Sequence, residues 1–183
     1  IRSNRQAVRN TQDAISLMQV AEGGLNEIGN ILIRMRELSI QSASDTIGDT
    51  ERKFTDREVQ ALKSEVDRIA MSTRFNGTEL LSGADQMLEF QVGTGGDKMR
   101  DRLHYDTKQT DSRVEALGIA EVSTAMKESS QLNLEMLDKA ISNVSSNRAN
   151  FGAMQNRLQS TMNNLNITDE NLSAANSRIR DAD

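Results

Sequence analysis

The chain has 183 residues, enough for one domain with a sizeable core. It contains no Pro, Cys or Trp and only 3% aromatic residues, so aliphatic side chains must fill that core and neither disulfides nor thiolate metal sites can form. The net charge of −5, with both signs interspersed, argues against nucleic acid as a partner, and no apolar run approaches the roughly 20 residues that span a bilayer.

The first predicted element is a helix from about Arg9 to Ser44. Its apolar residues recur three and four positions apart, at Met18, Ala21, Leu25, Ile28, Leu32 and Met35. This is the heptad pattern of a buried helical stripe. Gly23, Gly24 and Gly29 interrupt the helix, and each costs about 1 kcal/mol relative to Ala. Either the helix is locally weak there or backbones approach closely.

Within this helix the stretch ILIRMRELSIQ (31–41) holds more apolar residues than one buried stripe can take. At about 100° per residue, Leu38 falls at the border of the buried arc, whereas Ile33 and Ile40 fall well outside it. The polar sector next to Leu38 contains Arg34 and Gln41. We therefore expect this helix to contact a partner on its outer side as well as its own core.

A break at DTIGDT (45–50) precedes a second predicted helix, from about Thr50 to Thr73. Its apolar residues repeat the same spacing, at Val59, Leu62, Val66 and Ile69. Two amphipathic helices joined by a short polar loop predict an antiparallel helical hairpin. Carboxylates in DTERKFTDRE (49–58) alternate with Lys and Arg, which predicts solvated ion pairs rather than a metal site.

The period changes after residue 73, where Asn76-Gly77 and Ser82-Gly83 are turn signals. Two runs of alternating apolar and polar residues follow, with apolar positions Leu88, Phe90 and Val92 in the first and Met99, Leu103 and Tyr105 in the second. We predict two strands joined across GTGGD (93–97). An isolated hairpin is marginal in water, so its apolar face should lie on the helices.

The strongest pattern comes last, after a predicted connector at 106–122 with one helical turn. Fourteen positions between 134 and 179 alternate three and four apart, and ten of them are apolar. This predicts a helix from 134 to 180, roughly 70 Å long at 1.5 Å per residue. The first two helices can cover only part of it, so we expect residues beyond this chain or other copies to complete the bundle.

The sequence offers no arrangement of residues that predicts catalysis, a cofactor or a metal. His104 is the only histidine and lies on the polar side of a predicted strand, so an ordinary surface residue is favoured over a ligand or base. GTGGD lacks the strand-loop-helix setting of a dinucleotide loop. A plain hairpin turn is the better interpretation, and we expect no enzyme activity.

Several long segments resemble bacterial flagellin. They are RNTQDAISLMQVAEGGLNEIGNILIRMRELSIQSAS (9–44), VDRIAMSTRFNGTELLSG (66–83), FQVG (90–93) and FGAMQNRLQSTMNNLNITDENLSAANSRIRDAD (151–183). They occur in flagellin's order and leave only 84–130 weakly supported. The resemblance implies the inner core domain, D1: a mainly α, elongated antiparallel helical bundle or coiled-coil rod with a small β-hairpin.

On this interpretation residues 1–183 form one rod-like domain. It would consist of an N-terminal part (1–106, two helices and the hairpin), a connector (107–130) and a long C-terminal helix (131–183). The chain begins without Met, so it is expected to be a processed or trimmed piece. The resemblance implies that it starts too late and stops too early to hold the extreme terminal helices of flagellins. The connector is also too short for the large outer domains.

The resemblance implies a structural subunit of the extracellular bacterial flagellar filament. Its expected partners are other flagellin subunits and, in the full-length protein, an export chaperone and the filament cap, with no nucleic acid or membrane. Export would use the flagellar secretion apparatus without a cleaved signal peptide. Ile33 and Ile40 would contact a neighbouring subunit or the hairpin. The alternatives are a hook-filament junction protein and a secreted helical adhesin or adaptor.

Flagellins are also recognised by a vertebrate Toll-like receptor, and the matching motif RxRELxxQ is present. The resemblance assigns receptor binding to Arg34, Leu38 and Gln41 on the first helix and Glu58 on the second. An Arg guanidinium can pair with carboxylates or stack on aromatics, and Leu38 could act as an apolar plug. The residues alone leave another interpretation open, in which Arg34 and Glu58 form a surface ion pair and Leu38 belongs to the core edge.

Overall fold

Helices account for most of the chain. In the computed structural model, which describes residues 1–180, the elements follow in the order α1 (Arg2–Ser42), α2 (Asp49–Ser72), β1 (Arg74–Phe75), β2 (Thr78–Glu79), β3 (Met87–Gln91), β4 (Arg102–Asp106), a 3₁₀ turn (Thr107–Thr110) and α3 (Lys127–Arg180). The strands form two antiparallel pairs, β1 with β2 and β3 with β4. The predicted mainly helical class with a small hairpin is confirmed; residues 181–183 of the predicted last helix lie outside the described residues.

The described chain divides into two compact units. The helical unit comprises Val20–Gln86 and Thr107–Asn150. The hairpin unit comprises Ile1–Gln19, Met87–Asp106 and the described residues from Phe151 onward. Both α1 and α3 therefore contribute residues to each unit.

The core of the helical unit follows the predicted heptad stripe of α1. Every stripe residue in this unit is fully buried: Ala21, Leu25, Ile28, Leu32 and Met35. The neighbouring helices add buried aliphatic side chains, Val59 and Val66 from α2 and Leu137, Ala140 and Val144 from α3. Burying one such Leu or Ile stabilises the fold by about 1.5–3 kcal/mol.

A close approach to α1 explains one of its glycines. A Cβ at Gly24 would lie 2.6 Å from Thr73 Oγ1 and 2.8 Å from Leu81 Cδ1, closer than atoms pack. A Cβ at Gly23 would meet nothing within 4 Å. Close packing therefore requires Gly24, whereas Gly23 carries the entropic cost of glycine with no contact that needs it.

Arg52 connects the end of α1 to the start of α2 through side-chain hydrogen bonds. Its side chain is buried, and it donates from Nε to the Ser42 carbonyl at 2.9 Å and from Nη2 to the Ser44 carbonyl at 2.8 Å. Nη1 contacts Asp49 Oδ1 at 3.1 Å. Because the last carbonyls of a helix lack partners within the helix, this guanidinium supplies a donor to the carbonyl of Ser42, the last residue of α1.

The connector before α3 is folded against α2 rather than open. Asp67 Oδ1 accepts the N–H of Val114 and Asp56 Oδ1 accepts the N–H of Thr124, both at 2.8 Å. Four apolar side chains between these points are buried, Val114, Leu117, Ile119 and Val122. The expectation that the acidic residues of α2 form only solvated ion pairs was therefore wrong for Asp56.

The last helix begins at Lys127, earlier than the predicted start at 134. The stripe positions in its first turns are polar, so the apolar pattern could not reveal them. Ser130 and Asn133 are buried there. Ser130 Oγ donates to the Met126 carbonyl and Asn133 Nδ2 to the Ser123 carbonyl, each at 2.8 Å, which satisfies the buried polar groups.

In the hairpin unit, β3 and β4 pair with Leu88 opposite Tyr105. The Tyr105 ring packs edge-on against Phe151 of α3, with centroids 5.3 Å apart. From α1, Asn10 Nδ2 donates to the Gln91 carbonyl at 3.0 Å. The hairpin therefore lies against both helices, as its marginal stability in isolation requires.

The loop of this hairpin is longer than GTGGD, and Met99 lies in it rather than on a strand. Strand β4 begins only at Arg102, and Met99 is 87% exposed. Asp97 Oδ1 accepts the Met99 N–H at 2.8 Å, while the Asp101 carbonyl accepts the Val92 N–H at 2.8 Å. The alternation was misleading at Met99 because an Asx-type turn takes the chain out of strand geometry there.

The two adjacent glycines of α1 provide a matched stability test. We expect Gly24→Ala to lower the free energy of unfolding, because the added methyl group meets Thr73 and Leu81, and Gly23→Ala to raise it by up to about 1 kcal/mol. Urea unfolding followed by circular dichroism measures both. Equal effects of the two substitutions would contradict the close approach at Gly24.

Candidate functional site

The outer side of α1 in the helical unit carries most of the predicted contact residues. Ile33 is 49% and Ile40 48% exposed, a large apolar area for two side chains on one helix face. Arg34 and Arg36 lie on either side of this isoleucine pair and reach towards different neighbouring helices. The face between the two arginines is open in the described structure.

Arg34 links α1 to α2. Its Nε lies 2.8 Å from Glu58 Oε1, and its Nη1 lies 3.2 Å from Glu37 Oε2. The hydrogen bond to Glu58, and then that to Glu37, raises the pKa of the guanidinium. Both partners are largely exposed, so this pair fixes the direction of the arginine more than it stabilises the fold.

Arg36 makes the corresponding link to α3. Its Nε lies 2.6 Å from Asp138 Oδ1, and this hydrogen bond raises the pKa of Arg36. Ion pairs to α2 and α3 therefore border the isoleucine pair on both sides. Each pair is accessible to solvent and is weakened by salt.

The other two predicted receptor residues have different surroundings. Gln41 is exposed on the outer side of α1. Leu38 is only 2% exposed and packs within the core with Met35. The structure thus brings Arg34 and Glu58 together and places Gln41 on the same helix surface, whereas Leu38 lies beneath that surface.

Sequence reasoning missed an exposed aromatic residue one helical turn before Glu58. Phe54 is 59% exposed, and the Arg57 guanidinium lies 5.8 Å from its ring centroid. This is within the range of a cation–π contact. The available signal was a single aromatic residue among the charged residues of DTERKFTDRE.

No described feature adds a chemical centre to this surface. Within residues 1–180, no group of three or more His, Cys, Asp or Glu side chains could hold a metal ion. His104 is partly exposed, with Nδ1 3.6 Å from Glu89 Oε2. None of the described helices has the length and apolar character needed to cross a membrane.

Comparison with known proteins reveals the relationship of this chain. Family profiles for the bacterial flagellin N-terminal helical region and the bacterial flagellin C-terminal helical region match residues 1–86 and 134–183. The whole chain aligns at 38% identity with flagellin of Halalkalibacterium halodurans and at 36% with flagellin of Bacillus subtilis, covering 66% and 70% of those proteins. A flagellar filament 30.7 kDa core protein of Treponema maltophilum is 38% identical, with 68% of it covered.

The chain belongs to the flagellin family. The crystal structure of Bacillus cereus flagellin matches with a TM-score of 0.75 and 32% identity, covering 92% of this chain and 94% of that one. A putative flagellar hook-associated protein of Vibrio parahaemolyticus has a TM-score of 0.74 at 14% identity, covering 95% of this chain and 90% of that one, which shows a shared fold alone. This flagellin-family chain spans about two thirds of the length of the curated relatives it matches.

Truncation of single side chains on α1 tests these placements. We expect Leu38→Ala to lower the free energy of unfolding by about 2–5 kcal/mol, because it leaves a cavity in the core. Ile33→Ala and Ile40→Ala serve as exposed aliphatic controls and should change it by less than about 0.5 kcal/mol. Thermal or urea unfolding gives the comparison. Similar losses at Leu38 and Ile33 would mean that the burial of α1 is misassigned.

Proposed function

We propose that this chain is the core region of a structural, non-enzymatic subunit of the extracellular bacterial flagellar filament. The observation that carries the proposal is alignment of its whole length with flagellins and with a flagellar filament core protein. In this role the folded core supplies surfaces for packing against other subunits. The regions of the full-length relatives that extend beyond the match supply the rest of the subunit.

Exposed apolar side chains support a packing role. Ile33 and Ile40 lie between two ion pairs on α1, at a position where a neighbouring subunit can cover them. On α3 in the hairpin unit, Leu172 and Ile179 continue the heptad stripe but are 45% and 73% exposed. Since an exposed apolar side chain gains stability only when it is covered, whether it continues the heptad stripe or lies outside it, both sets are sites for contact with further subunits.

The remaining partners that we propose for this chain also follow from its membership of the flagellin family. The full-length subunit would be exported by the flagellar secretion apparatus without a cleaved signal peptide, meet its export chaperone beforehand and assemble beneath the filament cap. A hook-filament junction protein is the alternative within flagella. The 36–38% identity to flagellins over the whole chain favours the filament subunit.

We also propose that the monomer is a ligand of the vertebrate flagellin-sensing Toll-like receptor. The contact surface would consist of Arg34, Gln41 and Glu58, with Leu38 packed beneath it. Glu58 and Glu37 hold the Arg34 guanidinium outward on α1, which limits the conformational entropy lost on binding. Leu38 would support this surface from the core rather than insert into the receptor.

Filament incorporation tests the isoleucine pair. The chain would replace the matching segment of Bacillus subtilis flagellin, and filaments would be counted by electron microscopy. We expect the chimera to assemble and the double variant Ile33→Ser, Ile40→Ser to reduce assembly severalfold, because the subunit contact loses apolar area. Met71→Ser is the control, since Met71 is also 49% exposed but lies on α2. Normal assembly of the double variant would exclude these residues from the subunit contact.

Receptor activation tests the arginine surface. Arg34→Ala should reduce signalling by about tenfold, as removal of an interface arginine commonly does. The swap Arg34→Glu with Glu58→Arg can restore an ion pair between α1 and α2. Signalling by this double variant should still be poor, because the receptor would meet a negative charge at position 34 and a positive charge at position 58. Arg36→Ala is the control for loss of an equivalent ion pair, to α3. Recovery of signalling by the swap would assign Arg34 a purely structural role.

A further inference from the structure

The hairpin unit contains an open groove of about 400 Å³ that is basic and rich in sulfur. Two methionines, three cationic side chains, one histidine and one leucine line it, namely Met99, Met154, Lys98, Arg102, Arg157, His104 and Leu103. No carboxylate is among the lining residues. A groove with walls of one charge sign concentrates small ions of the opposite sign.

The acidic groups close to this groove lie outside its lining and contact other partners. Glu89 Oε1 lies 2.9 Å from Arg102 Nη1, so this pair is largely neutral. Asp97 Oδ1 and Asp101 Oδ2 accept backbone N–H groups within the hairpin loop. Lys98 and Arg157, in contrast, have no carboxylate partner among the described residues. The lining itself therefore carries positive charge at Lys98 and Arg157 without a carboxylate beside it in the lining.

Methionine is the main oxidisable side chain of this protein. The chain has nine Met but no Cys and no Trp. Met99 is 87% exposed and Met154 is partly exposed, whereas Met18 and Met35 are fully buried. Oxidation of a thioether follows its accessibility to the oxidant, so the groove methionines can react while the core methionines are protected.

We propose that Met99 and Met154 form a modification site for anionic two-electron oxidants, of the class of hypochlorite and peroxymonosulfate. With peroxymonosulfate, a sulfur lone pair attacks the terminal peroxide oxygen, an S–O bond forms, the O–O bond breaks and hydrogen sulfate leaves. The thioether loses two electrons and becomes a sulfoxide, and the peroxide is reduced. The groove cations raise the local concentration of the oxidant.

Oxidation changes the groove without requiring the protein to unfold. Each sulfoxide oxygen is a polar acceptor where an apolar thioether stood, in a groove that the donors of Lys98 and Arg157 also line. Met99 is outside the core, so its oxidation breaks no packing. The groove surface is thus converted from partly apolar to polar by a modification that methionine sulfoxide reductases can reverse.

The intact chain carries its own control for a test of this site. Met87 is also exposed, at 63%, but lies opposite Asp106 in the strand pair rather than in the basic groove. The chain would be treated with less than one equivalent of either peroxymonosulfate, an anion, or hydrogen peroxide, which is neutral. Peptide mass spectrometry then gives the sulfoxide yield at Met99 and Met154 relative to Met87.

We expect the sulfoxide yield at Met99 and Met154 relative to Met87 to be at least about threefold higher with peroxymonosulfate than with hydrogen peroxide. In high salt the peroxymonosulfate value should fall towards the hydrogen peroxide value. Arg157→Gln and Lys98→Gln should each lower it with peroxymonosulfate alone. Lys53→Gln, a change at an exposed lysine on α2, should not.

Protection of Met18 and Met35 reports that each variant remains folded. Should Arg157→Gln unfold the chain, the salt dependence and Lys98→Gln, at an exposed loop position, still decide the result. Equal relative yields with the two oxidants, or an anionic preference unaffected by salt and by both groove substitutions, would overturn the proposal.

Discussion

Burial of one continuous stripe along α1 is the constraint on which the fold depends. Its residues are aliphatic or alanine, since the chain has no Trp and only five Phe and Tyr together, four and one. Ala14 and Ala21 are buried within it, and Gly24 lets Thr73 and Leu81 come close to α1. Dispersion contacts among these closely packed aliphatic side chains contribute the packing energy that buried aromatic side chains supply in other cores. The positions of α2, the hairpin and α3 within each unit follow from covering this stripe.

The elements that bury periodic apolar residues could be predicted from the sequence, whereas those held by polar contacts could not. The α1 stripe repeats every three or four residues, and the strands that carry Leu88 and Tyr105 alternate apolar and polar residues. Both periods are local, so they can be read directly from the sequence. The connector depends on Asp56 and Asp67 of α2, and the start of α3 on Asn133. The two aspartate contacts join residues 47 and 68 positions apart. A polar side chain also looks the same in the sequence whether it meets water or a buried backbone group.

The candidate contact surface on α1 could also be predicted from the sequence only in part. Exposure of Ile33 and Ile40 follows from helical geometry, and the residues alone allow the ion pair of Arg34 with Glu58 as one of two interpretations. Leu38 falls at the border of the buried arc, where a rotation of a few degrees decides between core and surface. The receptor assignment rests on family resemblance, because no local pattern distinguishes a recognition arginine from one in a structural pair.

The contacts that hold the connector on α2 leave one place where the length of the chain can vary. Asp67 holds the connector at Val114 and Asp56 holds it at Thr124. Between them Gly118 is exposed, with a positive φ of 71°, and a Cβ added to it would meet nothing within 4 Å. Additional residues at that bend would leave both anchors in place. The entropy of closing a loop rises only with the logarithm of its length, about 0.6 kcal/mol per doubling. Chain length can therefore change greatly at this point at little cost in stability.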